Sequence, residues 1–337
     1  MLYIYWAVLF VIFPALTLCG SKINAGNEYV KKAFPREASL FWRGVSALMV
    51  VFAHLTIFLE DEGVGVGPAV IFDWVGGMGV LLFFFLSGYG TAKSNSIVNI
   101  KWLVQHVLRL WIPVSILRVF FYFGYNVSKE FSFGPFIMYV IGIDRPAWFI
   151  AVMLTVYLTV YLARRFFSNH YVLALLLLNI LSSVVFYLAG FSPSWYNGHL
   201  VFVFGTWLAL NGPKVIPYMR KHWGMCLAVC LVAFVVFGYA FARLKPRIIS
   251  APLKLLAGVA LGTMVVLLSQ KIQVHGKAMC LIGRTSLFLY IIHQNLYEIM
   301  RQDYFSLSPY FVVFVSIPVA MTLSFACVEL EKKLLKK

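Results

Sequence analysis

The sequence predicts an all-α fold, a polytopic transmembrane helical bundle of about eleven spans. Three observations predict it. Apolar residues make up 62% of the chain and charged residues only 12%, whereas soluble domains carry about 45–50% and about 25%. The apolar residues fall into long runs, several of them near the roughly 20 residues a helix needs to cross a bilayer. The connecting stretches are short and hold most of the basic residues, and at 337 residues there is little room for a separate soluble domain.

The runs lie at about 2–19, 38–59, 70–90, 108–126, 147–163, 170–190, 198–211, 223–242, 251–270, 278–298 and 309–328. The run 198–211 is short for a span, and Pro135–Ile143 is apolar but too short to cross. The first run lacks a basic segment ahead of it and is followed by Lys22, Lys31, Lys32 and Arg36. That order fits a retained span with its N-terminus outside rather than a cleaved signal. From that start, the cytoplasmic stretches take twenty of the 28 Lys and Arg residues, including the basic C-terminus. The external stretches take seven: Lys129, Arg145, Arg243, Lys245, Arg247, Lys254 and Arg301. Arg118 falls within a span. The positive-inside bias therefore sets the N-terminus outside and the C-terminus in the cytoplasm. The Arg243–Arg247 stretch violates the bias and marks either a missed span or an external basic patch.

The net charge of +16 would suggest nucleic acid as a partner in a soluble protein. Here the bases flank hydrophobic runs, where they fix topology and meet anionic headgroups. Membrane lipid is thus an expected partner and nucleic acid is not. Cys19, Cys226, Cys230, Cys280 and Cys327 all fall in or beside apolar runs without a CxxC pair. They read as buried thiols, with no disulfide framework and no metal site.

The segment FWRGVSALMVVFAHL, residues 41–55, is the most informative. Eleven residues of helix advance about 16 Å and close about three turns, which puts Arg43 and His54 on one face. Arg43 then sits at the cytoplasmic surface and His54 deep in the span. An ionisable residue inside a span is costly and faces a polar cavity or the bundle interior; the blander reading is a histidine that only bridges two helices. The run GGMGVLLFFFLSGYG, residues 76–90, carries five glycines. Tight helix packing explains them by default, with Ser87 as a polar group at the inner end. A short connection makes this helix an antiparallel neighbour of the Arg43–His54 helix, with Asp73 and His54 at similar depth. Asp73 is therefore a candidate to orient and charge His54. Its alternative is a solvated interfacial carboxylate.

These residues resemble those of the acyltransferase 3 family of membrane acyltransferases. The resemblance runs through Arg43 and His54 (R-x10-H), the glycine run that follows, Arg109 and Pro113 in VLRLWIP, Trp148 and Phe149 in PAWFI, and Gly283, Ser286, Tyr290 and His293 in LIGRTSLFLYIIHQ. Their order agrees from residue 38 to about 330. The layout the resemblance implies is 1–37 as one extra N-terminal transmembrane helix and cytoplasmic linker, 38–330 as a ten-helix membrane acyltransferase core, and 331–337 as a basic cytoplasmic tail. One departure stands out: many members carry an acidic residue where this chain has Leu81, and Asp73 is a candidate replacement.

The resemblance implies an integral O-acyltransferase of the bacterial inner membrane. It would move an acyl group, commonly acetyl, from cytoplasmic acyl-CoA to a hydroxyl of a cell-envelope or exported polysaccharide or its lipid-linked precursor. Acyl-CoA is then a co-substrate, and no tightly bound cofactor or metal is implied. Catalysis would rest on His54 as general base with Asp73. Substrate binding would involve Arg43, Arg109, Ser87, Trp148, Tyr290 and His293. Arginine suits the phosphates of such a donor through its planar fork of donors. A transporter or flippase for a glycan or acyl intermediate also fits buried ionisable residues and many spans, but no internal repeat or matched pair of interrupted helices supports it. A non-catalytic scaffold ranks last.

Overall fold

The computed structural model describes all residues except 1, 25, 27, 31, 95, 127–130, 142–147, 245–246, 274–275, 303–306 and 336–337, and leaves undescribed the side chains of 2, 16, 70, 72, 73, 125, 247–249, 334 and 335. Among the described residues, nine helices are long and apolar enough to cross a membrane. They comprise α3 (Arg36–Asp61), α4 (Ile71–Lys93), α5 (Ile100–Tyr125), α7 (Trp148–Phe166), α8 (Tyr171–Leu188), α9 (Leu200–Lys221), α10 (Trp223–Arg243), α11 (Arg247–Lys271) and α13 (Pro309–Leu335). Between the last two lies α12 (Lys277–Met300), 24 residues long and more polar than its neighbours. At the start of the chain, α1 (Leu2–Ala7) and α2 (Phe13–Leu18) flank a π-helical turn at Val8–Ile12. The all-α, multi-pass membrane architecture expected from the sequence is the one observed.

Two boundaries differ from expectation. The short run at 198–211 belongs to a full-length helix, α9, which continues to Lys221 through Pro213 and Pro217. Asn211, Pro213 and Lys214 end the apolar run but not the helix, so hydropathy shortened it. Among the described residues, α10 ends at Arg243 and α11 begins at Arg247, so the Arg243–Arg247 stretch connects two candidate spans. The short α6 (Phe133–Ile141) is nine residues long. It packs on α5 through Arg118, which is buried, donates from Nε to the Tyr139 carbonyl at 2.5 Å and lies 4.0 Å over the Tyr139 ring. The thiols are less hidden than expected: Cys19 is exposed and the other four are half-buried, because they sit at helix ends and on outward faces.

The bundle centres on α3 and α4, each with 67% of its apolar window buried, against 6% for the peripheral α10. Glycines let the central helices touch backbone to backbone. A Cβ on Gly44 would collide with the Met279 carbonyl, and one on Gly283 with the Leu40 carbonyl, so α3 and α12 approach as closely as helices can. Gly88 and Gly205 do the same for α4 and α9, against Phe202 and Phe85. Gly76 meets Ala53 and Gly79 meets Ser46 across α3 and α4. Packing thus explains Gly76, Gly79 and Gly88 of the glycine run, but not Gly77 or Gly90, where a Cβ would meet nothing closer than 4.0 Å.

The N-terminal helix is fastened to this centre. Tyr5 shares a 2.7 Å hydrogen bond with Thr56, Trp6 donates to the Val66 carbonyl at 2.9 Å, and Phe13 packs edge-on against Phe52. The linker then crosses the face on which α3 begins. Two residues, β1 (Lys22–Ile23), pair antiparallel with β2 (Ile272–Gln273). Tyr29 hydroxyl donates to the Arg220 carbonyl at 2.6 Å, while Arg220 donates back to the Val30 carbonyl at 2.7 Å. Nothing in the hydrophobic pattern announces so short a strand pair.

Candidate active site

Close contact between α3 and α12 brings two histidines together in the membrane interior. His54 Nδ1 lies 2.7 Å from His293 Nε2, with the rings 9° from coplanar. His293 is fully buried, and its Nδ1 lies 2.7 Å from the Leu289 carbonyl oxygen one turn back on α12. A carbonyl only accepts, so His293 Nδ1 carries the proton. In a neutral pair, His293 Nε2 is then the acceptor and His54 Nδ1 the donor. That assignment, which follows from the network, leaves the lone pair of His54 on Nε2. No described residue hydrogen-bonds that nitrogen.

His54 lines a cavity of about 60 Å³ together with Ile57, Phe58 and Asp61 of α3 and Gln294, Tyr297, Glu298 and Arg301 of α12 or its C-terminal cap, enough room for a few water molecules. The cavity lies toward the face where α3 ends, opposite the face bearing Arg43. Glu62 and Arg301 form an ion pair at 2.9 Å beside it. Gln294 also lines a second, smaller cavity with Arg118, Tyr290 and Asn295, so it stands between the two. Asn295 accepts from the Tyr139 hydroxyl at 2.9 Å.

The other residues singled out from the sequence divide between this centre and the opposite end. Tyr290 stands 6.1 Å edge-on from His293 and 5.1 Å from Phe149. Trp148 opens α7 and packs edge-on against Phe149, so an aromatic run leads from the helix end to the histidines. Arg43 is half-buried on α3, and Ser87 is half-buried on α4 near Gly90. Arg109 is exposed on α5. These three lie toward the Arg43 face, well away from His54. The side chain of Asp73 lies outside the described residues. Its backbone is in the first turn of α4, about one turn beyond the level where Gly76 meets Ala53. The nitrogen of His54 that an orienting carboxylate would take is occupied by His293.

Sequence reasoning missed the cavity walls Asp61, Gln294, Tyr297, Glu298 and Arg301. A signal existed, since Gln294, Glu298 and Arg301 recur at i, i+4 and i+7, one helical face, directly after His293.

A family model described as an acyltransferase domain matches residues 41–329. The chain belongs to the acyltransferase 3 family. No curated protein and no solved structure matches it. This member of the acyltransferase 3 family is therefore a multi-pass membrane acyltransferase, which uses an acyl donor and an acceptor. The match begins at Phe41 and excludes the helix α1–α2, and its span contains both histidines. Among the described residues no group of three His, Cys, Asp or Glu side chains gathers as a metal site would require.

Proposed function

We propose that the protein transfers an acyl group, acetyl in the simplest case, from cytoplasmic acyl-CoA to a hydroxyl of a cell-envelope or exported glycan or its lipid-linked precursor. His54 is the general base. The observation that carries this reading is the chain Leu289 carbonyl, His293, His54, which orients one imidazole through another and turns a free Nε2 toward a cavity.

The steps follow from that geometry. The acceptor enters the cavity beside Gln294, and its hydroxyl donates to His54 Nε2. As the proton moves to Nε2, the oxygen attacks the thioester carbonyl. A new acyl–oxygen bond forms, the acyl–sulfur bond breaks, and the proton on Nε2 passes to the departing sulfur as CoA leaves. His293 holds the ring of His54 and shares the charge while Nε2 is protonated. Gln294, which lines the cavity with His54, and Tyr290, which lines the adjoining one, supply neutral donors for the oxyanion. Asp73, on the outer turn of α4, adds negative charge that favours the protonated pair. In this orientation the Arg43 face is cytoplasmic, the membrane is the bacterial inner membrane, and Trp148 meets the glycan at the outer end of α7.

Donor and acceptor therefore reach His54 from opposite sides. Protein reconstituted in vesicles tests this, with labelled acetyl-CoA outside and a membrane-impermeant glycan inside, or both outside. Acylated glycan is expected only in the divided arrangement. Transfer only when both share one side would overturn the two-sided mechanism. Failure to bind or consume any acyl-CoA would move the assignment to a transporter.

A further inference from the structure

Among the described charged residues, Arg118 is the most deeply buried, with 2% of its surface exposed. It lies on α5 seven residues before the helix ends at Tyr125, about 10 Å in from that end. An arginine at such depth in a span is costly and by default marks a functional site. Two contacts fix its guanidinium: Nε donates to the Tyr139 carbonyl at 2.5 Å, and the group lies 4.0 Å over the Tyr139 ring. Tyr139 is anchored in turn. Its hydroxyl donates to Asn295 at 2.9 Å, and the Asn295 amide donates to the Ile291 carbonyl. The nine-residue α6, too short to cross a bilayer, thus ties Arg118 to the turn of α12 that carries His293.

Arg118 also lines a cavity of about 10 Å³ with Val114 of α5, Ile150 of α7 and Tyr290, Gln294 and Asn295 of α12. That volume holds about one water-sized sphere. It is room for a single oxygen atom and too little for an acyl chain or a sugar. Gln294 separates this void from the larger cavity at His54. Its side chain is half-buried, and no described residue hydrogen-bonds it, so the partition is one side-chain rotamer rather than backbone.

We propose that Arg118 is a catalytic residue: the void beside it receives the carbonyl oxygen of the thioester, and its guanidinium holds the negative charge that develops there. This rests on the acyl-transfer reading above and adds to it a residue outside every motif that carries the family resemblance. As the acceptor oxygen bonds to the carbonyl carbon, the π pair of the carbonyl moves onto its oxygen. Arg118 meets that oxyanion with a full charge, where Tyr290 and Gln294 offer neutral donors. When the pair returns to re-form the carbonyl, the carbon–sulfur bond breaks and the sulfur leaves with the proton from His54 Nε2. The oxyanion then lies between two cations, the guanidinium and the protonated His54. A fixed cation in a water-poor site stabilises such a charge most, because it has no solvent shell to reorganise. Tyr139 sets the guanidinium in place before any substrate arrives, which gives the short α6 its task.

The test uses the full chain in nanodiscs and two CoA thioethers of similar size. Trifluoroacetonyl-CoA carries a ketone that hydrates and ionises readily, presenting an oxygen where the oxyanion forms; propyl-CoA presents none. Wild type is expected to bind the ketone at least about tenfold more tightly, as a mimic of the transition state. Arg118→Met is expected to lose that preference, to bind propyl-CoA as wild type does, and to lower kcat about 10²- to 10³-fold at unchanged donor KM. Arg118→Lys keeps a charge and should recover part of kcat. Val114→Ile adds a methyl group beside the void without altering Arg118 or Tyr139, and it too should lose the preference. A ketone preference that survives Arg118→Met would overturn the proposal; if that variant does not fold, survival in Val114→Ile overturns it. Equal weakening of both thioethers would also overturn it, since that is the mark of an arginine that only holds α5 to α6. Wild type that binds both thioethers equally would remove the oxygen site and leave the acyl-CoA reading standing, whereas wild type that binds neither would overturn that reading itself.

Discussion

His54 Nδ1 and His293 Nε2 lie 2.7 Å apart, and the Leu289 carbonyl beneath them fixes which nitrogen carries each proton. The relation resembles the way a third group orients the base in hydrolytic triads, with a second imidazole in place of the carboxylate. With His54 as the proposed general base, His293 is its positioning residue. His293→Phe is expected to lower kcat about 10- to 100-fold with the KM for acyl-CoA unchanged. His293→Gln, whose amide oxygen accepts from His54 Nδ1, should recover part of that loss. Asp73→Asn is expected to cost less than His293→Phe. Steady-state CoA release with varied donor checks all three, and a raised donor KM without loss of kcat would contradict the positioning role.

Backbone contact between α3 and α12 at Gly44 and Gly283 sets the distance between the two histidines. Gly44→Val forces a side chain into the Met279 carbonyl and is expected to cost about 1–3 kcal/mol, the usual range for overpacking, together with most of the activity. A Cβ on Gly77 would meet nothing within 4 Å, so Gly77→Ala should be tolerated. Thermal melting in detergent distinguishes them; equal melting temperatures would contradict the packing account.

At the cavity mouth, Gln294 faces both small cavities while the Glu62–Arg301 pair is partly exposed. Gln294→Ala is expected to raise the acceptor KM several-fold and leave the acyl-CoA KM alone. Glu62→Ala should change stability by less than about 1 kcal/mol, as exposed pairs do. Varying acceptor at fixed donor checks the first point, and chemical or thermal unfolding checks the second.

The N-terminal helix is held by Tyr5, which is buried and bonded to Thr56 at 2.7 Å. Tyr5→Phe is expected to cost about 1 kcal/mol, the ordinary net worth of such a bond. Thermal melting reads the loss, and no change would mean that the hydroxyl contributes nothing to docking the helix.

Much of this fold was legible because lipid imposes long apolar runs, and the runs near α3, α4, α8, α10 and α11 lie close to the observed helices. Hydropathy failed where a helix outlasts its apolar stretch: α9 runs on past Asn211 through two prolines. The Lys22–Ile23 pairing with Ile272–Gln273 was illegible, since two residues carry no period. At the centre, spacing placed His54 and the motif named His293, but their contact depends on Gly44 and Gly283 fitting together, which no single-chain pattern encodes.

The most direct test of the central claim is the rate of acyl transfer from labelled acetyl-CoA to a glycan acceptor by purified His54→Ala beside wild type. With His54 as general base, kcat falls about 10²- to 10⁴-fold while acyl-CoA still binds. Transfer at the wild-type rate in the variant would contradict it.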